Sequence, residues 1–230
     1  MRLRTLTLAL AFCCALHAVA QEQATPPAEQ KVDKAHQKEV DGDNGLGDEY
    51  SKQVAKELKF SEDKEKTARV ERIGKEFADI ANSAQVDVTW GDPKHSQFDY
   101  KFHVVKGEDV NAFSIPGGYI YIYEGLVDFS ESDDELASVI AHEVAHAALR
   151  HIATMQKEQG KFDLVNVAAV LAAIWSRKDA TKILVPTQLL NLGVRSGWSV
   201  NAEMAADYAG VQYMVKSKYN PLGALTFLER

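Results

Sequence analysis

The sequence predicts an α+β fold, mostly helical, with a small antiparallel sheet. Three observations predict it. Apolar residues recur at three and four positions from Ser61 to Ala84, and again after Ser132. Between them, from Val86 to Tyr123, "VDVTW", "FDYKFHVV" and "YIYIY" alternate or run with β-branched and aromatic residues, separated by the turn-rich "GDPKHS" and "KGEDVN". The 230 residues suffice for one domain with a real core.

Taken in chain order, residues 1–20 read as a secretory signal. Arg2 and Arg4 precede an apolar run from Leu6 to Leu16, and Ala18-Val19-Ala20 is a small-x-small cleavage pattern. The alternative, a lone membrane anchor, needs roughly 20 apolar residues, and this run is shorter. A lipid attachment site would want a small residue ahead of its cysteine, where Phe12 precedes Cys13. The two cysteines both lie in this segment, so the exported chain is expected to have no disulfide and to rely on its core or on a metal. The periplasm is the expected compartment.

Residues 21–47 carry few large apolar side chains and read as a disordered linker. Within them "DGDNGLGDE" has the acids of a calcium loop but puts Gly45 at a ligand position and Leu46 where glycine is required, so a solvated linker is the better reading. The domain proper spans 48–230. Its first helix opens at Glu62 and Asp63 and turns Val70, Ile73, Phe77 and Ile80 to a core. After the strands, Ser132 and Glu135 form a Ser-x-x-Glu capping box that starts a helix running to about Gln156. Its acidic start, "ESDDE", suits a helix N-terminus better than a ligand cluster. Leu164 to Trp175 is too short to span a bilayer and suits a core helix or a membrane-surface contact. A final pair of helices covers Val200 to Lys216 and Pro221 onward.

The composition excludes one partner class. Thirty-three acids against 26 bases give a net charge of −7, which becomes more acidic once Arg2 and Arg4 are removed, and no basic cluster offsets it. Such a surface repels nucleic acid.

The chemistry centres on "AHEVAH", 141–146. Residues four apart on a helix project within about 40° of each other, so His142 and His146 can grip one ion. Glu143, beside the first histidine, can act as base toward a water at that metal without being a ligand. Peptide hydrolysis at zinc needs these parts: two neutral nitrogens, an open position and a base within reach. A chance match is the bland alternative, but an apolar helix has no other evident partner for three such side chains. A catalytic zinc wants a third ligand. One class of such sites would need a glycine and, three residues on, a histidine, where this chain has Leu149 and Ile152; His151 misses the histidine position by one residue and reads as a supporting or surface group. A second class draws a glutamate from a downstream helix. "NAEMAADYAG" supplies Glu203 and, one turn on, Asp207, which could hold the free nitrogen of a ligating histidine.

"NAFSIPGGYIYIYEGLVD", "ELASVIAHEVAHAALRH" and "NAEMAADYAG" together resemble, in order and spacing, the M48 metallopeptidases, from about Asp48 to the last residue. That family includes exported and outer-membrane-associated bacterial quality-control proteases, mitochondrial relatives and membrane-embedded prenyl-protein processing enzymes. The resemblance implies a zincin-type metalloprotease domain with one zinc per chain on His142, His146 and Glu203. It implies Glu143 as general base and Asp207 as the acid behind a ligand. It also implies that Asn111, Ala112, Phe113, Ser114, Pro116, Gly117 and Gly118 form the strand and turn alongside which an extended substrate lies; alone, that segment reads as a plain hairpin turn. The absence of multiple long apolar spans favours the soluble exported branch. "GALTFLER" reads as the middle of a helix, where relatives continue.

The expected activity is endopeptidase action on misfolded or unassembled envelope proteins, with peripheral or outer-membrane association as a further expectation. A second electrophile is expected among Asn111, His151, Arg195 and Tyr208, and gating around Lys157 to Asp163 and Arg195 to Val200. Two rival readings are an exported zinc-containing, chaperone-like binding protein that does not cut, and a membrane-surface scaffold using Leu171 and Trp175.

Overall fold

The computed structural model describes residues 33–159 and 197–229. The signal segment, residues 21–32 of the expected linker, the stretch Leu164 to Trp175, and residues 160–163 and 195–196 of the expected gating segments lie outside the described residues. In order, the described elements are α1 (Lys34–Glu57), α2 (Lys64–Ser83), β1 (Lys101–Val105), β2 (Ala112–Ile115), a 3-10 turn (Pro116–Gly118), β3 (Tyr119–Tyr123), α3 (Glu124–Phe129), α4 (Asp133–Ala148), α5 (His151–Gln159), α6 (Gly197–Lys216) and α7 (Gly223–Leu228). None of these helices is long and apolar enough to cross a membrane.

The mostly helical α+β class holds, but the sheet is mixed rather than antiparallel. Its order is β1-β3-β2, with β2 antiparallel to β3 and β1 parallel to it. The connection between β1 and β2 spans two strand spacings, roughly 9–10 Å, and β3 returns into the slot between them. "VDVTW" is no strand: the backbone N–H and carbonyl of Asp87 pair with the Gln212 side chain instead of a neighbouring strand.

β3 is central and buried along its whole length, so its alternation separates two cores. Tyr119, Tyr121 and Tyr123 join Phe113, Ile115, Tyr50 and Val54 under α1. Ile120 and Ile122 join Val70, Ile73 and Phe77 of α2 and Leu136, Ile140 and Val144 of α4. α2 begins at an Asp63 cap that accepts from the N–H groups of Glu65 and Lys66. Val70, Ile73 and Phe77 are wholly buried, and each such side chain stabilises the fold by about 1.5–3 kcal/mol.

α1 corrects the expectation of a disordered linker up to residue 47. It starts at an Asp33 cap and buries His36, Val40, Asp43, Gly47, Tyr50 and Val54 on one stripe. Half of those positions are polar or glycine, so the stripe has little apolar signal. Its partners are specific: Ser96 for His36, Arg150 for Asp43, and the turn at Pro116, against whose carbonyl Gly47 packs too closely for any side chain.

α4 has its expected cap. The Glu135 N–H donates to Ser132 Oγ at 3.2 Å, while the Glu135 carboxylate reaches back to the Glu131 N–H at 2.8 Å. The expected continuous helix to Gln156 is broken, however. Arg150 takes a φ of 51°, the only non-glycine residue with positive φ among those described, and α5 starts immediately after it. The Arg150 guanidinium explains the break: it reaches Asp43 at 2.6 Å, Asp92 at 2.6 Å and Glu39 at 3.0 Å. His36, Glu39 and Asp92 are close enough to resemble a metal site, but this guanidinium already supplies their positive charge.

Candidate metal centre

α4 and α6 approach along small residues. Ala141, Ala145 and Ala148 of α4 and Ala202, Ala205, Ala206 and Ala209 of α6 are buried. At Gly210 an added Cβ would sit 3.3 Å from the His142 backbone. This close seam lets side chains from α6 reach the α4 histidines.

The seam brings four predicted residues together. His142 Nε2 and His146 Nε2 lie 3.0 Å apart, and the Glu203 carboxylate oxygens lie 3.4 Å from the first and 3.7 Å from the second. All three ligand-capable atoms fall within 4.8 Å of one another. Two zinc–nitrogen bonds of about 2.0–2.1 Å at a tetrahedral angle would set their nitrogens roughly 3.3 Å apart, so the donor set and its spacing fit zinc. Asp207 Oδ1 lies 2.8 Å from His142 Nδ1, accepting its proton and leaving Nε2 to face the other donors.

Burial disfavours a charged His142, but the Asp207 and Glu203 carboxylates, with Glu143 nearby, outweigh it and raise its pKa to about 10. The His142 and His146 rings beside it keep the Glu203 carboxyl far below the usual range. Glu143 is buried, while Glu203 and Asp207 stay more than half exposed on the α6 side.

The other predicted residues separate. Just before β2, the Asn111 carbonyl accepts from the Tyr123 N–H of β3, and the β2 register pairs Phe113 with Tyr121. Antiparallel alternation then turns the backbone groups of Ala112 and Ser114 to the outer edge. Pro116, Gly117 and Gly118 are not at that edge: they are buried, with Gly117 packed on Asp43 and Asn44 of α1. His151 lies behind His146, against its Nδ1 at 2.9 Å, so it faces away from the side where a second electrophile would act. Burial and then the charge of His146 push the His151 pKa down to about 3. His151, read from the sequence as a supporting or surface group, packs behind a histidine of the cluster and against Trp90; the local signal for this corner was the Arg-His pair at the helix end.

The model of peptidase family M48 matches residues 64–228. The beta-barrel assembly-enhancing protease of Escherichia coli strain K12 is 29% identical over 192 residues, 80% of this chain and 36% of that protein. The mitochondrial metalloendopeptidase OMA1 of Schizosaccharomyces pombe is 32% identical over 164 residues, covering 71% of this chain and 43% of the relative. Metalloprotease LoiP of Escherichia coli strain K12 is 34% identical over 134 residues, covering 57% and 50%. This chain therefore spans half or less of the length of each of these relatives. With the family model covering most of the chain, on the helices that build the histidine–glutamate cluster, this protein belongs to peptidase family M48.

Proposed function

We propose that this protein is a zinc-dependent endopeptidase that cleaves misfolded or unassembled cell-envelope proteins. The observation that carries the reading is the convergence of His142, His146 and Glu203 on one point, with Asp207 behind His142. His142, His146 and Glu203 would hold one zinc ion, which when bound polarises the scissile carbonyl and makes an attacking water more acidic. Glu143 takes the proton of that water and passes it to the leaving amine. Asp207 keeps the His142 ring in the tautomer that offers Nε2.

The substrate is read as an extended chain along β2, whose outward Ala112 and Ser114 backbone groups can pair with any peptide, with Asn111 and Phe113 holding the strand to β3. Pairing of this kind is indifferent to side-chain sequence, which suits quality control. Export through the segment 1–20 and action in the periplasm, with peripheral association at the outer membrane, complete the reading. They are supported by the signal-like N-terminus and by the name of the relative that enhances β-barrel assembly.

The test compares wild type with Glu143→Gln for zinc content and for cleavage of an unfolded casein. One zinc per chain in both, with cutting only by wild type, is expected. Zinc in both with equal cutting would remove Glu143 from its role. Zinc in both with no cutting by either would favour a client-binding protein, and zinc in neither would overturn the reading.

A further inference from the structure

The side of His146 turned away from the cluster is closed by a third histidine. His151 is 1% exposed, its Nδ1 is 2.9 Å from His146 Nδ1, and its Nε2 is 3.2 Å from the Trp90 carbonyl. The two imidazoles meet edge to face, with centroids 4.9 Å apart, and His151 also lies against the Trp90 ring at 5.3 Å.

Proton accounting orders this chain of contacts. The Trp90 carbonyl can only accept, so His151 Nε2 carries a hydrogen. A neutral ring then has an acceptor at Nδ1, which takes the hydrogen of His146 Nδ1. His146 is thereby left with its lone pair on Nε2, the atom that faces His142 and Glu203.

This meeting is impossible on a straight helix. Residues five apart are separated by about 140° around the axis and share no face. The positive φ of Arg150 breaks the helix between them and swings His151 back. Arg150 is held in that turn by Asp43 and Glu39 of α1 and by Asp92. The loop before Asp92 closes the other side: the Asp92 N–H donates to the Leu149 carbonyl at 2.8 Å, and a side chain on Gly91 would collide with that carbonyl and with the His151 ring.

We propose that His151 is a positioning residue that fixes the tautomer and orientation of His146 through a histidine–histidine–carbonyl chain, and that Arg150, clamped from α1, puts it there. The inference rests on the zinc-centre reading above. It gives the two histidines unlike supports: an exposed carboxylate behind His142 and a buried neutral ring behind His146. It also makes α1, which precedes the matched residues 64–228, part of the support of the site.

The test is zinc affinity of the full chain by chelator competition, with thermal stability of the metal-free protein measured alongside. His151→Phe keeps the ring volume and the Trp90 contact but offers no acceptor; His151→Asn places Oδ1 near the position of Nδ1. Expected are a 10–100-fold loss of zinc affinity in His151→Phe, the range seen when such supports are removed, and near wild-type affinity in His151→Asn. Unchanged affinity in His151→Phe, or equal losses in both variants, overturns the proposal, the second result meaning that only packing matters. Should His151→Phe not fold, NMR of the ring nitrogens in zinc-loaded wild type decides: hydrogens on His146 Nδ1 and His151 Nε2 support the proposal, and a hydrogen on His151 Nδ1 overturns it. Failure of wild type itself to bind zinc would defeat the zinc-centre reading and this inference with it, whereas zinc binding that ignores His151 defeats this inference alone.

Discussion

Asp207 Oδ1 stands 2.8 Å from His142 Nδ1, although its side chain is 73% exposed and the two residues lie 65 positions apart. An exposed acid contributes little to folding, so its effect on metal binding can be separated from its effect on stability. Asp207→Ala is expected to weaken zinc binding about 10–100-fold while changing unfolding free energy by no more than about 0.5 kcal/mol. Chelator competition and urea unfolding of the metal-free protein measure the two quantities, and an equal loss in both would point to a structural role.

The small-residue seam between α4 and α6 sets how far Glu203 can reach. Ala206 is wholly buried there. Ala206→Leu forces extra methyl groups between the helices and is expected to cost about 1–3 kcal/mol of stability. Zinc affinity should fall as well, because α6 carries Glu203 away from the α4 histidines. Wild-type zinc affinity in a destabilised Ala206→Leu protein would show that the seam does not control the cluster.

Arg150 gathers three carboxylates with a side chain only 2% exposed. Arg150→Met removes the positive charge, leaving the buried Asp43 unpaired and Asp92 with the Lys94 N–H and the His36 ring, at an expected cost of about 3–5 kcal/mol. Denaturant unfolding measures this. A cost below about 1 kcal/mol would mean that the cluster behaves as an ordinary surface ion pair.

The same cluster sets a pH dependence. Hydrogen bonds from Lys157 and then Arg150 hold the Glu39 carboxyl down at about 2 against an ordinary value of 4.5. A carboxyl whose folded pKa is depressed stabilises the fold fully above its unfolded pKa and loses that contribution as pH falls through the folded one. Glu39 is 44% exposed, so screening limits the effect to about 1 kcal/mol or less. Glu39→Gln should therefore melt below wild type at neutral pH, and the gap should narrow as pH falls from about 5 toward about 2. Thermal scans across that range check it, and a gap that stays constant with pH would contradict the assignment.

Where information is local, the sequence alone was sufficient. The Asp63 and Ser132 caps, the apolar face of α2, the four-residue spacing of His142 and His146 and that of Glu203 and Asp207 each depend on residues within one or two helical turns. Those side chains converge in the fold because the helices bearing them present small residues to each other. Only tertiary structure decided the rest. α1 is a helix because its polar stripe finds Ser96 and Arg150, and the Asp43–Arg150 pair spans 107 positions. β3 lies between β1 and β2, and Pro116 to Gly118 are buried, because the chain returns into a slot and α1 covers the turn. His151 turns toward His146 because a charge network from distant segments holds Arg150 in a conformation that its own neighbours would not select. Periodicity records which face of a segment is buried; it does not record which partner, far along the chain, makes that burial favourable.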